Sequence, residues 1–190
     1  MFDINGMYNA QNDRIWAVNR FEADRKGGIK KKQKFPAKVM VWLGACAEGL
    51  TPLVILDKGA VNHVYIKKVL PIAKKYANKV LGDDWTFQQD NAPPHQDDIT
   101  QKWCRENIPQ FISCKRWSAN SPDLNPMDYC IWDKLNQAIN WSRVRSKSTL
   151  IKKLKLGVKK IRYDVLRESV EDWRSKRMYR ILQNDGNCLC

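Results

Sequence analysis

Two proline-bounded segments constrain this chain most, because each fixes where a backbone element must change. In Thr86-Phe87-Gln88-Gln89-Asp90-Asn91-Ala92-Pro93-Pro94-His95, two residues without a backbone N–H follow an apolar and aromatic run through Trp85 and Phe87. A buried strand therefore stops at Asp90, with that carboxylate at its C-terminal edge. The second segment, Ser121-Pro122-Asp123-Leu124-Asn125-Pro126-Met127-Asp128-Tyr129, reads as a helix start. Asn125 is the N-cap, Pro126 the first helical residue and Asp128 part of the first turn, and the stripe Ile131, Trp132, Leu135 and Ile139 continues the helix. Acids in a first turn also complement the helix dipole, so residue type alone leaves Asp123 and Asp128 a purely structural explanation.

The rest of the chain supplies a sheet and helices around these segments. Residues up to Ala17 read as two strands joined by a turn over Asn9 to Asp13. A basic, glycine-containing loop follows from Arg20 to Lys38, where Lys30, Lys31, Lys32 and Lys34 are candidate phosphate contacts. Val39 to Ala45 and Leu50 to Leu56 form an apolar hairpin about Glu48-Gly49, and Asn62 is placed to cap a helix that Pro71 kinks. A short helix over Ile99 to Glu106 and a strand over Phe111 to Cys114 lead to the Asp128 helix. From Arg143 to Arg180 there are fourteen basic and four acidic residues, with Leu150, Ile151, Leu154, Val158, Ile161, Val165, Leu166, Val170 and Trp173 at roughly helical intervals. The apolar face of this basic helical extension should pack on the sheet or on a second subunit. Its polar face, with Arg143, Arg145, Lys152, Lys153, Lys159 and Lys160, suits a DNA backbone without conveying sequence preference.

With 190 residues, 43% of them hydrophobic, and eight tryptophans, the chain can bury one substantial core. A net charge of +14 favours a polyanionic partner, most plainly nucleic acid. No stretch approaches the roughly 20 apolar residues of a membrane span, and no signal-peptide pattern opens the chain, which points to an intracellular protein. The six cysteines have neither paired zinc spacing nor a dense disulfide framework, so they should be reduced, with Cys46 and Cys130 in the core and Cys188 and Cys190 in an unordered tail. Of the two histidines, His63 should be exposed, whereas His95 lies close enough to Asp90 to bond it or a phosphate.

In wording and order, Asp90-Asn91-Ala92-Pro93-Pro94-His95 and Ser121-Pro122-Asp123-Leu124-Asn125-Pro126-Met127-Asp128 resemble the second- and third-acid motifs of mariner-like DNA transposases, and 37 residues lie between the two acids. Tyr8-Asn9 with Arg14-Ile15-Trp16-Ala17, the strand Val39 to Gly44 and Trp132-Asp133-Lys134-Leu135 extend the resemblance over about residues 1–180. It implies an α/β, ribonuclease H-like fold: a mixed central sheet with helices on both faces, over residues 1–142. A basic helical extension would occupy 143–180 and a flexible tail 181–190.

The resemblance further implies a catalytic and metal-holding role for Asp90 and Asp128, with Asn91 and His95 near the site. Two divalent cations, Mg²⁺ or Mn²⁺, would support DNA cleavage and strand transfer in the nucleus. Transposon ends and target DNA would be the partners, with a homodimer as the assembly. The family's first acid would fall just before Met1. Asp3 does not substitute for it, being about five residues further along the strand, roughly 16 Å away at about 3.3 Å per residue, and on the opposite face. The expectation is therefore a fragment inactive by itself that lacks the family's amino-terminal helix-turn-helix region; the alternative is a repurposed DNA-binding protein. An RNA-binding domain is disfavoured, since no aromatic-rich strand motif for base stacking is visible.

Overall fold

The computed structural model describes residues 2–4, 17–25, 36–56, 62–118 and 121–184. Seven short strands recur among them: β1 (Phe2–Asp3), β2 (Lys38–Trp42), β3 (Ala45–Cys46), β4 (Gly49–Leu50), β5 (Val54–Leu56), β6 (Thr86–Phe87) and β7 (Gln110–Phe111). β2 lies between β1 and β5 in an antiparallel sheet, with Phe2 opposite Val39 and Met40 opposite Leu56. β6 and β7 pair in parallel, Phe87 beside Phe111. Of the expected opening hairpin only β1 is described; its turn, with Lys30, Lys31, Lys32 and Lys34 of the following loop, lies outside the described residues.

The hairpin over 39–56 differs from expectation in one respect. Instead of two long strands, β2 pairs with β5 at the base while β3 and β4 form a separate pair at the tip. Pro52 has no N–H to donate, and Gly44 turns to Thr51 instead, its N–H reaching Thr51 Oγ1 at 2.8 Å while Thr51 N–H reaches the Gly44 carbonyl at 2.9 Å. At the tip Gly49 has φ +148°, and a Cβ there would lie 2.3 Å from the Tyr76 hydroxyl, so only glycine fits without displacement.

Helix α1 spans Arg20–Arg25, and α2 runs continuously over residues 62–81. The break expected at Pro71 is taken up by a π turn at Tyr65–Val69, directly before the segment Leu70–Leu81 that has the proline in its first turn. Asn62 is the first helical residue rather than a cap, because its amide is drawn instead to the Asp97 carboxylate at 2.7 Å. Asp97 itself caps α4 (Asp98–Asn107), which follows the single turn α3 (Pro93–Gln96). Cys114, expected at the end of a strand, sits in a turn, β7 being complete at Phe111.

Three further helices complete the chain. α5 covers residues 127–137, opening on a π turn at Met127–Ile131; α6 is Lys147–Val158, begun by a Ser146–Thr149 capping box; α7 covers residues 163–183, with a π turn at Trp173–Arg177 in its middle.

Strand alternation divides the core. Val39 and Val41 face one cluster, with Phe2, Leu135, Ile139, Leu150 and Leu154, while Met40 and Trp42 face another, with Leu56, Tyr65, Val69, Leu70 and Cys104. The antiparallel sheet thus has α5 and α6 on one face and α2 and α4 on the other, a ribonuclease H-like layering, but among the described residues the parallel pair β6 and β7 stays separate from it, so the expected mixed sheet is not formed as one. A third cluster of Leu43, Ile131 and Leu166 joins α7 to α5. Cys104, wholly buried, is the core cysteine, its thiol pushed up to about 12 by burial; Cys46 and Cys130, expected in the core, are only half-buried. These three and Cys114 are free thiols, and His63 is exposed as expected.

Candidate functional site

Asp90 follows β6 and is held by a layer of buried amides. The Tyr65 hydroxyl donates to Gln89 Oε1 at 2.7 Å, and Gln101 Nε2 donates to the His95 carbonyl at 2.8 Å, which sets the chain reversal through Pro93 and Pro94. Gln101 Oε1 accepts from the Cys114 N–H at 3.2 Å, so both ends of this buried amide are satisfied. The Tyr65 ring packs on the His95 imidazole at 4.7 Å between centroids. His95 Nδ1 faces Asp90 Oδ1 at 2.6 Å and the Asp90 carbonyl at 3.2 Å. Two acceptors on one nitrogen assign the proton to Nδ1. The Ala92 N–H also donates to Asp90 Oδ1, at 3.0 Å, leaving Oδ2 without a hydrogen bond among the described residues. The His95 bond holds the Asp90 carboxyl below the usual carboxylate range, against the opposing effect of burial.

Asp128 is positioned by Asn125, which does more than cap. Its Oδ1 accepts from the Met127 N–H at 3.1 Å, while its Nδ2 donates to Asp128 Oδ2 at 2.7 Å. Asp128 Oδ1 has no hydrogen bond among the described residues. One long-range bond joins the two motifs: Gln88 Nε2, beside the Asp90 strand end, donates to the Leu124 carbonyl at 2.8 Å. Burial first, and the charge of Asp90 second, raise the Asp128 pKa, with Asn125 opposing. Asp90 and Asp128 open on one cavity of about 560 Å³, whose walls include Trp42, Trp85, Phe87, Trp132 and Trp173.

These opposite shifts have a definite sign in pH. Asp128 is better protonated in the folded state, so its contribution to stability is full at pH below its unfolded pKa and is lost as pH rises through the raised folded value. For Asp90 the contribution is present above its unfolded pKa and is lost as pH falls through the depressed folded value. Carbon-detected NMR titration should show Asp90 with a midpoint below, and Asp128 above, the usual range. In Asp90→Asn the Asp128 midpoint should move down, since a like charge has been removed.

Among the described residues, the structure brings Asp90, Asp128 and His95 together but not Asn91 or the basic residues from 143 to 160. Asn91 is not among the cavity-lining residues; its Oδ1 is buried without a partner among the described residues, and its carbonyl accepts from Gln96 Nε2. Asp3, opposite Lys38 on β1, is also not among them. Arg143, Arg145, Lys152, Lys159 and Lys160 are exposed and Lys153 half-buried, on or flanking α6, and none of these lines the cavity. Gln88, Gln89, Tyr65 and Gln101 were missed in the sequence. The one available signal was a polar pair, Gln88-Gln89, inside an otherwise apolar strand run.

Two unpartnered carboxylate oxygens of like charge at one cavity suit a hard divalent cation that keeps part of its water. Among the described residues, no group of three His, Cys, Asp or Glu side chains gathers to hold one.

Comparison with known proteins agrees with the fold. The Tcb1 transposase of Caenorhabditis briggsae is 27% identical over 133 residues, 70% of this chain and 47% of that protein. The Tc1 transposase of Caenorhabditis elegans is 24% identical over 152 residues, 78% of this chain and 52% of its own length. The chain thus spans about half the length of the curated relatives it matches. A Mos1 transposase paired-end complex with the left transposon end superposes with a TM-score of 0.72 at 18% identity, over 85% of this chain and 48% of that one. The catalytic domain of Mos1 mariner transposase gives 0.66 at 18% identity, over 80% of this chain and 76% of that one. No protein-family model matches the chain. In sequence this chain is thus similar to Tc1-type transposases over about half their length, and its fold is that of the Mos1 transposase catalytic domain.

Proposed function

We propose that this chain is the catalytic portion of a cut-and-paste DNA transposase that cleaves and rejoins phosphodiesters at transposon ends, with Asp90 and Asp128 as its metal-holding carboxylates. The observation that supports this most is the convergence of a strand-end acid and a helix-mouth acid on one cavity, each with one oxygen tied and one open. Mg²⁺ or Mn²⁺ is the proposed cation; the Mos1 catalytic domain has been solved with each. A bound cation would polarise the phosphodiester and lower the pKa of the attacking water. His95 keeps Asp90 ionised and fixed, Asn125 orients Asp128, and the Gln88–Leu124 bond keeps the two motifs in register. In this reading Asn91, whose carbonyl accepts from Gln96 Nε2, supports the loop that follows Asp90.

DNA is the proposed substrate, held along its phosphates by Arg143, Arg145, Lys152, Lys153, Lys159 and Lys160, and by Lys30, Lys31, Lys32 and Lys34 of the preceding loop. Action by two copies in the nucleus belongs to the same reading. So does the division into a site-bearing part over 1–142 and a basic helical part over 143–180.

The test is nicking of supercoiled DNA in Mg²⁺ or Mn²⁺ by this chain and by a longer version that adds an upstream acidic strand. Metal-dependent nicking by the longer version is the expected result; none by either version would sink the reading. DNA binding is checked separately by its salt dependence. Replacing Arg143, Arg145, Lys152, Lys153, Lys159 and Lys160 together with alanine should flatten the slope of log K against log salt by up to about 5, at about 0.9 per lost phosphate contact.

A further inference from the structure

The last helix also reaches the site. In the π turn Trp173–Arg177, Trp173 forms part of the cavity wall, and Arg177 one turn later faces the Asp128 motif. The Arg177 guanidinium stacks on the Tyr129 ring, 3.6 Å from its centroid, and Nη1 lies 3.7 Å from Asp123 Oδ1. Both partners are largely sequestered, with side chains 28% and 16% exposed, unlike the solvated pairs elsewhere on α7. The Tyr129 hydroxyl adds a second tie, donating to the Ser169 carbonyl at 2.5 Å. Asp123 and Tyr129 bracket Asp128 in sequence, one in the turn Pro122–Leu124 and the other in the opening turn of α5. The acid-bearing segment is thus gripped from β6 by Gln88 and from α7 by Arg177.

We propose that Arg177 is a positioning residue for Asp128: by clamping Asp123 and Tyr129 together it fixes the segment that presents the carboxylate to the cation. This rests on the metal-site reading above and adds a residue outside both acidic motifs. The planar guanidinium suits the task because it can stack and pair at once, which an ammonium cannot. The consequence is that the basic helical extension, besides offering charge to DNA, holds part of the site in place.

The test combines amide hydrogen exchange with Mn²⁺ titration on the whole chain, for the unchanged protein, Arg177→Ala, Arg177→Lys and Asp128→Ala. In Arg177→Ala, exchange over residues 121–131 should quicken at least about tenfold relative to α4, which is remote from the clamp, and Mn²⁺ affinity should fall about tenfold toward that of Asp128→Ala. Arg177→Lys, which keeps a charge for Asp123 but has no planar face for Tyr129, should fall between the two. Unchanged exchange over 121–131 overturns the proposal whatever the metal does. Quickened exchange with Mn²⁺ binding indifferent to Asp128→Ala would uphold the clamp and refute the metal site instead, and a uniform rise in exchange across the chain would reduce Arg177 to a general stabiliser, overturning the specific role.

Discussion

Asp128→Asn and Asp90→Asn should each lower metal-dependent nicking more than about 100-fold in any version of the protein that cuts, because removing even an outer partner of a metal ligand typically costs 10- to 100-fold. The two changes should differ in every other respect. Asp128 is charged at a cost, with Asp90 beside it, so its neutralisation relieves repulsion and should leave thermal stability equal or higher. Asp90 is stabilised as an anion by His95 and Ala92, so its neutralisation loosens the turn and should leave stability equal or lower. Nicking assays with circular dichroism melts on the same preparations check both halves. Retained nicking in Asp128→Asn, with the fold intact, would remove that residue from the site.

Leu154→Ala should be the most damaging single truncation. Leu154 on α6 is wholly buried in the cluster that includes Phe2 and Val39 of the sheet and Leu135 of α5. Deleting its isobutyl group from so closed a site costs about 2–5 kcal/mol. For a chain of this size that corresponds to a fall of about 5–15 °C in melting temperature. The transition should stay single, because α6 fills the same core as the sheet. A first, separate melting of the basic helices with the rest intact would show instead that they form an independent unit. Gly157 points the same way: a Cβ there would lie 2.9 Å from Leu135 Cδ1, so α6 and α5 touch where no side chain intervenes.

What was legible in the sequence were features that a few consecutive residues decide. The helix start at Asp128 follows from Asn125-Pro126, and the structure has it; the strand expected to run to Asp90 before the two prolines ends earlier, at Phe87, because only Thr86 and Phe87 pair with β7. The apolar period of 150–166 marked the buried face of α6 and the start of α7, though not which surface would receive it. What was not legible depends on partners far away in the chain. Asn62 looks like a cap until Asp97, 35 residues on, takes its amide. Gln88 and Leu124 are 36 residues apart, Tyr129 and Ser169 40, and no local preference marks either pair.

The three π turns, at Tyr65–Val69, Met127–Ile131 and Trp173–Arg177, border one site: the first supplies Tyr65, the second Asp128, the third Trp173 and Arg177. Each wide turn accommodates one residue more than a regular helix would. Losing that residue would rotate everything beyond it by about 100° around the helix axis and withdraw it by about 1.5 Å. Alignment of the site is therefore written in the spacing of the chain as well as in its side chains. Among related sequences, a single-residue deletion in any of these turns would be as disabling as losing an acid, while leaving every motif letter in place.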